Sequence, residues 1–552
     1  MKRIYLFMLT LLLCTLGVSA QQVNINPEQI RKMQAAEFFI SHFYVDSLNE
    51  EKVVDDAILG MLKSLDPHST YIKAKDVERS TENLNGSFEG IGVQFNMIED
   101  TLVVIQPVSG GPSEKKGIVA GDRIVLVNDT AIAGVKMSRD EIMRRLRGPK
   151  GSKVRLGIIR EGVKGVNEFV IVRDKIPVKT IDAHYMVDER IGYIRLSSFG
   201  QNSHGEVMDA VSSLRSQGMQ DLILDLQSNG GGYLSAAVEL SNEFLPADDL
   251  IVYTDGRSVP RQDYKARGNG QLQQGRIVVL VDSYTASAAE IVSGAVQDND
   301  RGTIVGRRTF GKGLVQRPFD LPDKSVIRLT TAHYYSPSGR CIQKPYKMGD
   351  RKDYDDDMNA RLKSGELTAD LNPLIEKAGI RSADAQPWMP EDSVLRKLQP
   401  ELFPDSLCYS TRRMGRTVYG GGGIMPDIYV PLDTTQYTPL YRQLSAKSCV
   451  LNASLKYMDK NRKLLTRRWK DFDDYRQNFE LPQQVVDLLL EEAKKAKIDV
   501  TDQALQATLP NLRVQLKALI ARDLWDMSEY YQIINQINHI YKRGIEIIRK
   551  EQ

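Results

Sequence analysis

The stretch around Ser287 carries the residue types that an acyl-transfer reaction needs. The apolar, β-branched run Ile277–Val281 reads as a buried strand. The chain then passes through Asp282-Ser283-Tyr284-Thr285-Ala286 and opens at Ser287-Ala288-Ala289-Glu290 into a helix with Ile291, Val292, Ala295 and Val296 on its apolar stripe. A serine at a strand-to-helix junction sits where free backbone N–H groups and the positive end of the helix dipole favour negative charge. An ordinary N-cap serine has the same local signature, so the position alone does not separate a nucleophile from a cap. None of the 6 histidines (His42, His68, His184, His204, His333, His539) stands in a triad-like motif with it. A lysine can replace histidine as base when burial brings its pKa from about 10.4 towards 7–8, at a cost of roughly 3–4 kcal/mol. Lys312, in Gly311-Lys312-Gly313, is the candidate. Its flanking glycines let other backbone approach closely, and Lys312, Leu314 and Gln316 alternate onto one face of the following strand, so Gln316 can orient the amine. For the tripeptide alone, a solvated hairpin lysine is the plainer reading.

Asn229-Gly230-Gly231-Gly232 follows a predicted strand, Asp221–Leu226, and precedes a helix. Glycine N–H groups there, together with that of Ala288, can form an oxyanion hole; a simple βα turn has the same composition. Two other patterns fail on their own mechanics. Gly306 to Lys312 begins like a nucleotide-binding loop, but Gly313 replaces the required Ser or Thr and a strand follows rather than a helix. Asp353, Asp355 and Asp357 begin like a calcium loop, but Met358 stands at the turn glycine and Ser364 at the bidentate acid, which favours a solvated charge run. No metal, nucleotide or other cofactor is implied.

The elements that must position these residues alternate. Strands are predicted at Ile191–Leu196, Asp221–Leu226, Ile277–Val281 and Thr303–Val305, with helices near 203–217, 233–245 and 286–297, followed by strands Leu314–Phe319 and Val326–Tyr335. Repeated βα units predict an α/β layer. Upstream, residues 27–80 look helical and close at Leu65-Asp66-Pro67-His68. Residues 86–175 carry short strands (Gly92–Phe95, Leu102–Ile105, Ile124–Val127, Val154–Ile159) and one amphipathic helix, Ser138–Leu146. Residues 344–415 read as charged and irregular, and beyond Thr435 the chain reads as helical.

Length and composition frame this. At 552 residues several domains are expected, and 41% hydrophobic with 26% charged residues is ordinary globular composition. Lys plus Arg number 74 against 71 Asp plus Glu, a net +3, which offers no nucleic-acid footprint. Lys2 and Arg3, the apolar run Ile4–Leu16 and Val18-Ser19-Ala20 read as an export signal, so a periplasmic location is expected; an uncleaved anchor is the runner-up. Export permits disulfides, and Cys341, Cys408 and Cys449 remain after signal removal.

Thr285-Ala286-Ser287-Ala288-Ala289-Glu290, followed by Gly311-Lys312-Gly313-Leu314-Val315-Gln316, resembles the carboxy-terminal processing, or tail-specific, serine peptidases. The resemblance implies Ser287 as nucleophile, Lys312 as general base, Gln316 as its orienting partner, and Gly231 with Ala288 as oxyanion donors. Asp225-Leu226-Gln227-Ser228-Asn229-Gly230-Gly231-Gly232 resembles the family's glycine segment, with Gln227 for arginine and Gly230 for proline. Leu65 to Tyr71 resembles the family's helical lead-in. Gly90-Ile91-Gly92-Val93 and Gly121 to Asn128 resemble a PDZ domain, whose carboxylate loop and adjoining helix clamp a peptide as an added strand. A gate or interface role is the other reading of such a module. Ser338 to Gln343 resembles the strand end after the catalytic loop, and the motif resumes only at Gly423-Ile424-Met425-Pro426-Asp427, so residues 344–415 are expected to be an insertion; a Cys341–Cys408 bridge closing its base is one reading of the cysteines, and small buried unpaired residues are the other.

The implied fold is multidomain α/β: signal 1–20, helical segment 21–85, PDZ β-barrel-like domain 86–175, a ClpP/crotonase-like peptidase core over 176–343 and 416–434, the insertion 344–415 and a helical region 435–552. The implied activity is endopeptidase action on exported proteins bearing exposed C-terminal tails. A homo-oligomer or regulatory adaptor partner is left open. The alternatives are a non-catalytic PDZ scaffold on a dead peptidase and, from fold analogy alone, an acyl-CoA hydratase-like protein.

Overall fold

The computed structural model describes residues 26–381 and 393–550; the expected export signal lies outside them. The chain divides after Leu65 into two units. In the first, helices Pro27–Phe43 and Glu50–Lys63 start at Asn26 and Asn49, whose side-chain oxygens accept from Glu28 N (3.1 Å) and Lys52 N (2.9 Å). Asparagine at these positions satisfies one orphan N–H at each helix start.

The second unit is built on a six-stranded sheet in the order Ile181–Met186, Ile191–Leu196, Asp221–Asp225, Ile277–Val281, Thr303–Gly306, Ile428–Tyr429. The first pair is antiparallel and the rest are parallel. All five residues of Ile277–Val281 are buried, the signature of a strand covered on both faces. Helices Ser203–Ser216, Leu234–Asn242 and Ala288–Asp298 cover one face through Val211, Leu240 and Val292. The other face is closed by the last helix, His539–Lys550, whose Ile540 and Ile548 pack with Tyr193, Val278 and Leu280. The far end of the chain is therefore part of the α/β layer, not only an appendage. A second sheet runs Thr70–Ile72, Val326–Tyr335, Leu250–Gly256, Val259–Lys265, with Leu314–Asp320 also paired to Val326–Tyr335.

Residues 93–172 form a small sheet of strands around Leu102, Ile124, Leu156 and Ile171, with helix Arg139–Leu146 capped by Ser138 Oγ, which accepts from Glu141 N (3.2 Å). Entry and exit strands, Ser87–Gly90 and Asp174–Pro177, pair antiparallel and make a two-stranded neck. Helices Pro439–Ala446, Cys449–Arg468, Gln483–Lys495 and Asp502–Leu524 bury a separate core that includes Tyr475, Leu489, Leu512 and Leu516. This helical group meets the small sheet domain through ion pairs Arg123–Asp459 (2.5 Å), Lys456–Glu99 (2.8 Å) and Lys463–Glu161 (3.3 Å).

Three expectations are corrected. The 344–415 stretch is not irregular: it holds helices Lys352–Asp355, Asp357–Ser364, Asn372–Lys377 and Ser393–Leu402, because Leu371, Leu374, Ile375, Leu395, Leu398 and Leu402 recur at helical spacing and bury together. Its acidic run is not merely solvated, since Asp357 pairs with Lys344 and Arg361, both at 3.1 Å. Among the described residues, Cys341, Cys408 and Cys449 are free thiols, so of the two readings the bridge is the one not formed. Cys341 Sγ faces His333 Nδ1 at 3.9 Å, whereas Cys408 lies exposed on the hairpin strand Cys408–Ser410.

Candidate active site

Ser287, Lys312 and Gln316 line one cleft of about 570 Å³, together with Gly231 and Ala288. One wall is the face of the second sheet that carries Leu314, Gln316, Pro318, Val326 and Arg328; the facing wall includes Val77, Ser80, Thr81 and Leu84 of the helix Ala74–Asn85.

Ser287 precedes the first helical residue, Ala288, with φ 58° and ψ −118°. An N-cap normally has extended backbone, and a non-glycine residue at positive φ costs on the order of 1–3 kcal/mol, a strain that clusters at functional turns. What holds the turn is Glu290, which is 1% exposed. Its Oε2 accepts from both Ser287 N (2.8 Å) and Lys312 N (2.9 Å), and its Oε1 accepts from Gly311 N (2.7 Å) and the Thr309 hydroxyl (2.5 Å). Burial pushes this carboxyl above the usual range, while the four donors pull it down. A single carboxylate oxygen thus joins the serine turn to the lysine loop. The Tyr334 hydroxyl repeats the link on the carbonyl side, reaching Ser287 O (3.1 Å) and Lys312 O (2.5 Å).

Burial pushes the Lys312 amine below the ordinary lysine range, and the Arg328 charge pushes it further, against opposing pulls from Glu290 and Asp66. Both larger influences favour the neutral amine that a base requires. Asp66 is held by Ser69 Oγ (2.5 Å), His68 N (2.8 Å) and Thr330 Oγ1 (2.9 Å). Gln316 Nε2 donates to Thr330 Oγ1 (3.3 Å), so its amide is directed to this network in the structure. His68, near Lys312 in space, donates or accepts at the Tyr354 hydroxyl (2.7 Å) and is held down to about 4 by burial and by the Lys312 charge, which leaves it neutral at pH 7.

Gly231 has φ 95°, and a Cβ there would fall 2.7 Å from Ser287 Cβ and 2.8 Å from both Ala286 O and Ala288 N. The glycine loop thus presses directly on the serine turn. Gly231 N donates to Asn229 Oδ1 (2.8 Å), so this N–H is occupied until that bond is exchanged.

In the small sheet domain, a second groove of about 280 Å³ runs between Ile91–Phe95 and helix residues Arg139, Met143 and Leu146. Ile91 O accepts from Ser113 N (3.1 Å) and Ser113 Oγ (2.6 Å), and Gly92 O accepts from Val108 N (3.0 Å). Gly92 has φ 72°, and a Cβ would meet Ile176 Cδ1 at 2.9 Å. Gly90 stands apart from the groove lining, paired with Asp174 in the neck.

Sequence reasoning assigned no role to Glu290, Tyr334, Asp66 or Arg328. For Glu290 a signal existed, since Ser-x-x-Glu is the pattern in which a third-position acid reaches back to a helix start. Nothing local marks the other three.

Comparison with known proteins identifies the family. Peptidase family S41 matches residues 190–353, the PDZ domain matches 90–166, the activating protease CtpB N-terminal domain matches 15–76, and a family of unknown function (DUF8443) matches 440–526. The chain is 37% identical over 342 residues to a carboxy-terminal-processing protease of Bartonella bacilliformis, covering 60% of this chain and 77% of that one. It is 36% identical over 314 residues to the carboxy-terminal processing protease CtpA of Bacillus subtilis, covering 57% and 66%. The solved photosystem II D1 C-terminal processing protease is 30% identical, with a TM-score of 0.33, over 56% of this chain and 82% of that chain. The peptidase and PDZ matches, with 37% identity over 77% of the Bartonella protein, place the chain among the carboxy-terminal processing proteases, serine-type peptidases of family S41.

Proposed function

We propose that the chain is an endopeptidase that uses Ser287 and Lys312 as a catalytic pair and cleaves exported proteins selected by their C-terminal tails. The observation that carries this reading is the Glu290 bridge: one carboxylate oxygen accepts from the backbone of both residues, and both line a cleft in which burial favours a neutral amine. Neutral Lys312 takes the proton from Ser287 Oγ as that oxygen attacks the scissile carbonyl. The oxyanion is received by the N–H of Ala288 and by that of Gly231 once it leaves Asn229 Oδ1. Lys312 returns the proton to the departing amine, then activates the water that releases the acyl-enzyme. Gln316 orients the amine after exchanging its Thr330 bond. A substrate tail adds as a strand along Ile91–Phe95, with its terminal carboxylate at the loop Ile91-Gly92-Val93 that follows Gly90. Residues 1–20 direct the protein to the periplasm.

The test compares wild type with Ser287→Ala and Lys312→Ala on an unfolded protein and on peptides that end in a free carboxylate or an amide. Both variants lose turnover by several orders of magnitude while retaining tail binding, and the amide-ended peptide binds more weakly. Wild-type rates from either variant refute the pair. N-terminal sequencing of the cell-fractionated protein reports whether residues 1–20 are removed on export.

A further inference from the structure

Arg361 lies on the helix Asp357–Ser364, inside the stretch expected to be an insertion, and is 3% exposed. Its guanidinium turns back to the loop that carries Lys312. Nη1 donates to Arg308 O (3.1 Å) and Thr309 O (3.0 Å), and Nη2 donates to Thr309 O (3.0 Å) and Phe310 O (3.4 Å). The next two carbonyls are met by other groups: Gly311 O accepts from Lys344 N (2.9 Å) and Lys312 O from the Tyr334 hydroxyl (2.5 Å). On the donor side, Thr309 N goes to Ile424 O (3.1 Å), Phe310 N to Thr285 O (2.9 Å), and the N–H groups of Gly311 and Lys312 to Glu290. Of five successive carbonyls, a single side chain serves three. That side chain is itself ion-paired with Asp357, Nε to Oδ2 at 3.1 Å but without hydrogen-bond alignment, while Glu366 holds Arg308 in a two-point pair at 2.8 and 2.7 Å. Only a planar fork of donors can satisfy carbonyls spread along a turn in this way; an ammonium is a point donor on a flexible stem.

We infer that Arg361 is a positioning residue, a brace from residues 344–415 that fixes the 308–312 backbone and with it the depth at which the Lys312 amine sits in the cleft. The inference rests on Lys312 being the general base. The charged groups that bear most on Lys312 are Arg328, Glu290 and Asp66, with the neutral His68 nearby, and Arg361 is not among them, so its influence runs through backbone placement rather than charge. Loosening the brace rehydrates the amine, returns it towards the ordinary lysine range and moves the acid limb of kcat/KM to higher pH.

Arg361→Lys keeps the charge and loses the fork; Arg361→Met loses both. Asp357→Asn, at a side chain 25% exposed, is the milder change and remains readable if the arginine variants fold poorly. In each, the acid limb shifts to higher pH and kcat falls, on the order of 10–100-fold for the arginine variants, while KM stays within about twofold. Lost folded protein lowers amplitude without moving the limb, so a merely structural role is separable. If folded Arg361→Lys or Asp357→Asn keeps the wild-type limb and kcat, the brace is overturned. If Lys312→Ala stays active, the base assignment fails first; if it is inactive while Arg361→Lys behaves as wild type, only the brace fails.

Discussion

Glu290→Gln tests the joint between the serine turn and the lysine loop most directly. The wild-type carboxylate takes four donors, two on each oxygen. Glutamine supplies an acceptor at one position and an NH2 at the other, so two of the four bonds are lost and donors are set against donors in a dry site. At about 1.5–3 kcal/mol for each hydrogen bond to a charged group, the substitution costs about 3–6 kcal/mol. That is a large share of the roughly 5–15 kcal/mol that holds a typical fold together. Thr309→Val removes one of the same bonds, together with the bond its hydroxyl accepts from Ile424 N (2.7 Å), and is the graded control. Both are followed in urea by circular dichroism and by loss of peptidase activity in parallel, because several domains need not unfold together. Activity in Glu290→Gln is expected to fail at lower urea than the bulk of the helical signal, with Thr309→Val in between. A Glu290→Gln enzyme with wild-type kcat and an unchanged urea midpoint refutes the claim that this carboxylate holds the two loops together.

Arg328→Gln removes a cation that favours the neutral form of Lys312, so the Lys312 pKa rises and the acid limb of kcat/KM moves to higher pH; Asp66→Asn removes an opposing charge and moves the limb to lower pH. Opposite shifts in the two pH–rate profiles support the electrostatic account, and shifts of the same sign contradict it. Gly231→Ala places a methyl within 2.8 Å of three atoms of the serine turn at a φ that disfavours side chains, and is expected to abolish turnover and covalent labelling by a serine-reactive phosphonate, with the rest of the fold retained by circular dichroism. Tyr334→Phe removes the hydroxyl shared by Ser287 O and Lys312 O and is expected to cost about 1–3 kcal/mol in chemical denaturation and to lower kcat more than it changes KM.

The four inner strands of the α/β layer were legible because burial on both faces forces continuous β-branched runs, as in Ile277–Val281, whereas its outer strands Ile181–Met186 and Ile428–Tyr429 were not. The hairpin Leu250–Lys265 was not, because Val259–Lys265 is an edge strand with exposed Arg261, Gln262 and Asp263 and so lacks an apolar period. Helices such as Asn372–Lys377 are too short for periodicity to rise above their charged neighbours. At the site, Ser287 and Lys312 could be picked out because their glycine, alanine and helix-start surroundings are local. Asp66 and Thr330 meet across 264 positions, and Arg361 acts 52 positions from Thr309, distances at which one sequence carries no pairing signal. Glu290 could be seen as a residue but not as a joint, since its second partner loop becomes adjacent only on folding.

The paired strands Ser87–Gly90 and Asp174–Pro177 make the PDZ domain a side branch whose two ends leave the parent chain one strand spacing apart, about 4.8 Å. Such a junction can be cut and resealed with a tight turn without stretching the polypeptide on either side. It is equally a graft point: any foreign domain with neighbouring termini can be spliced there while the peptidase core keeps its own connectivity.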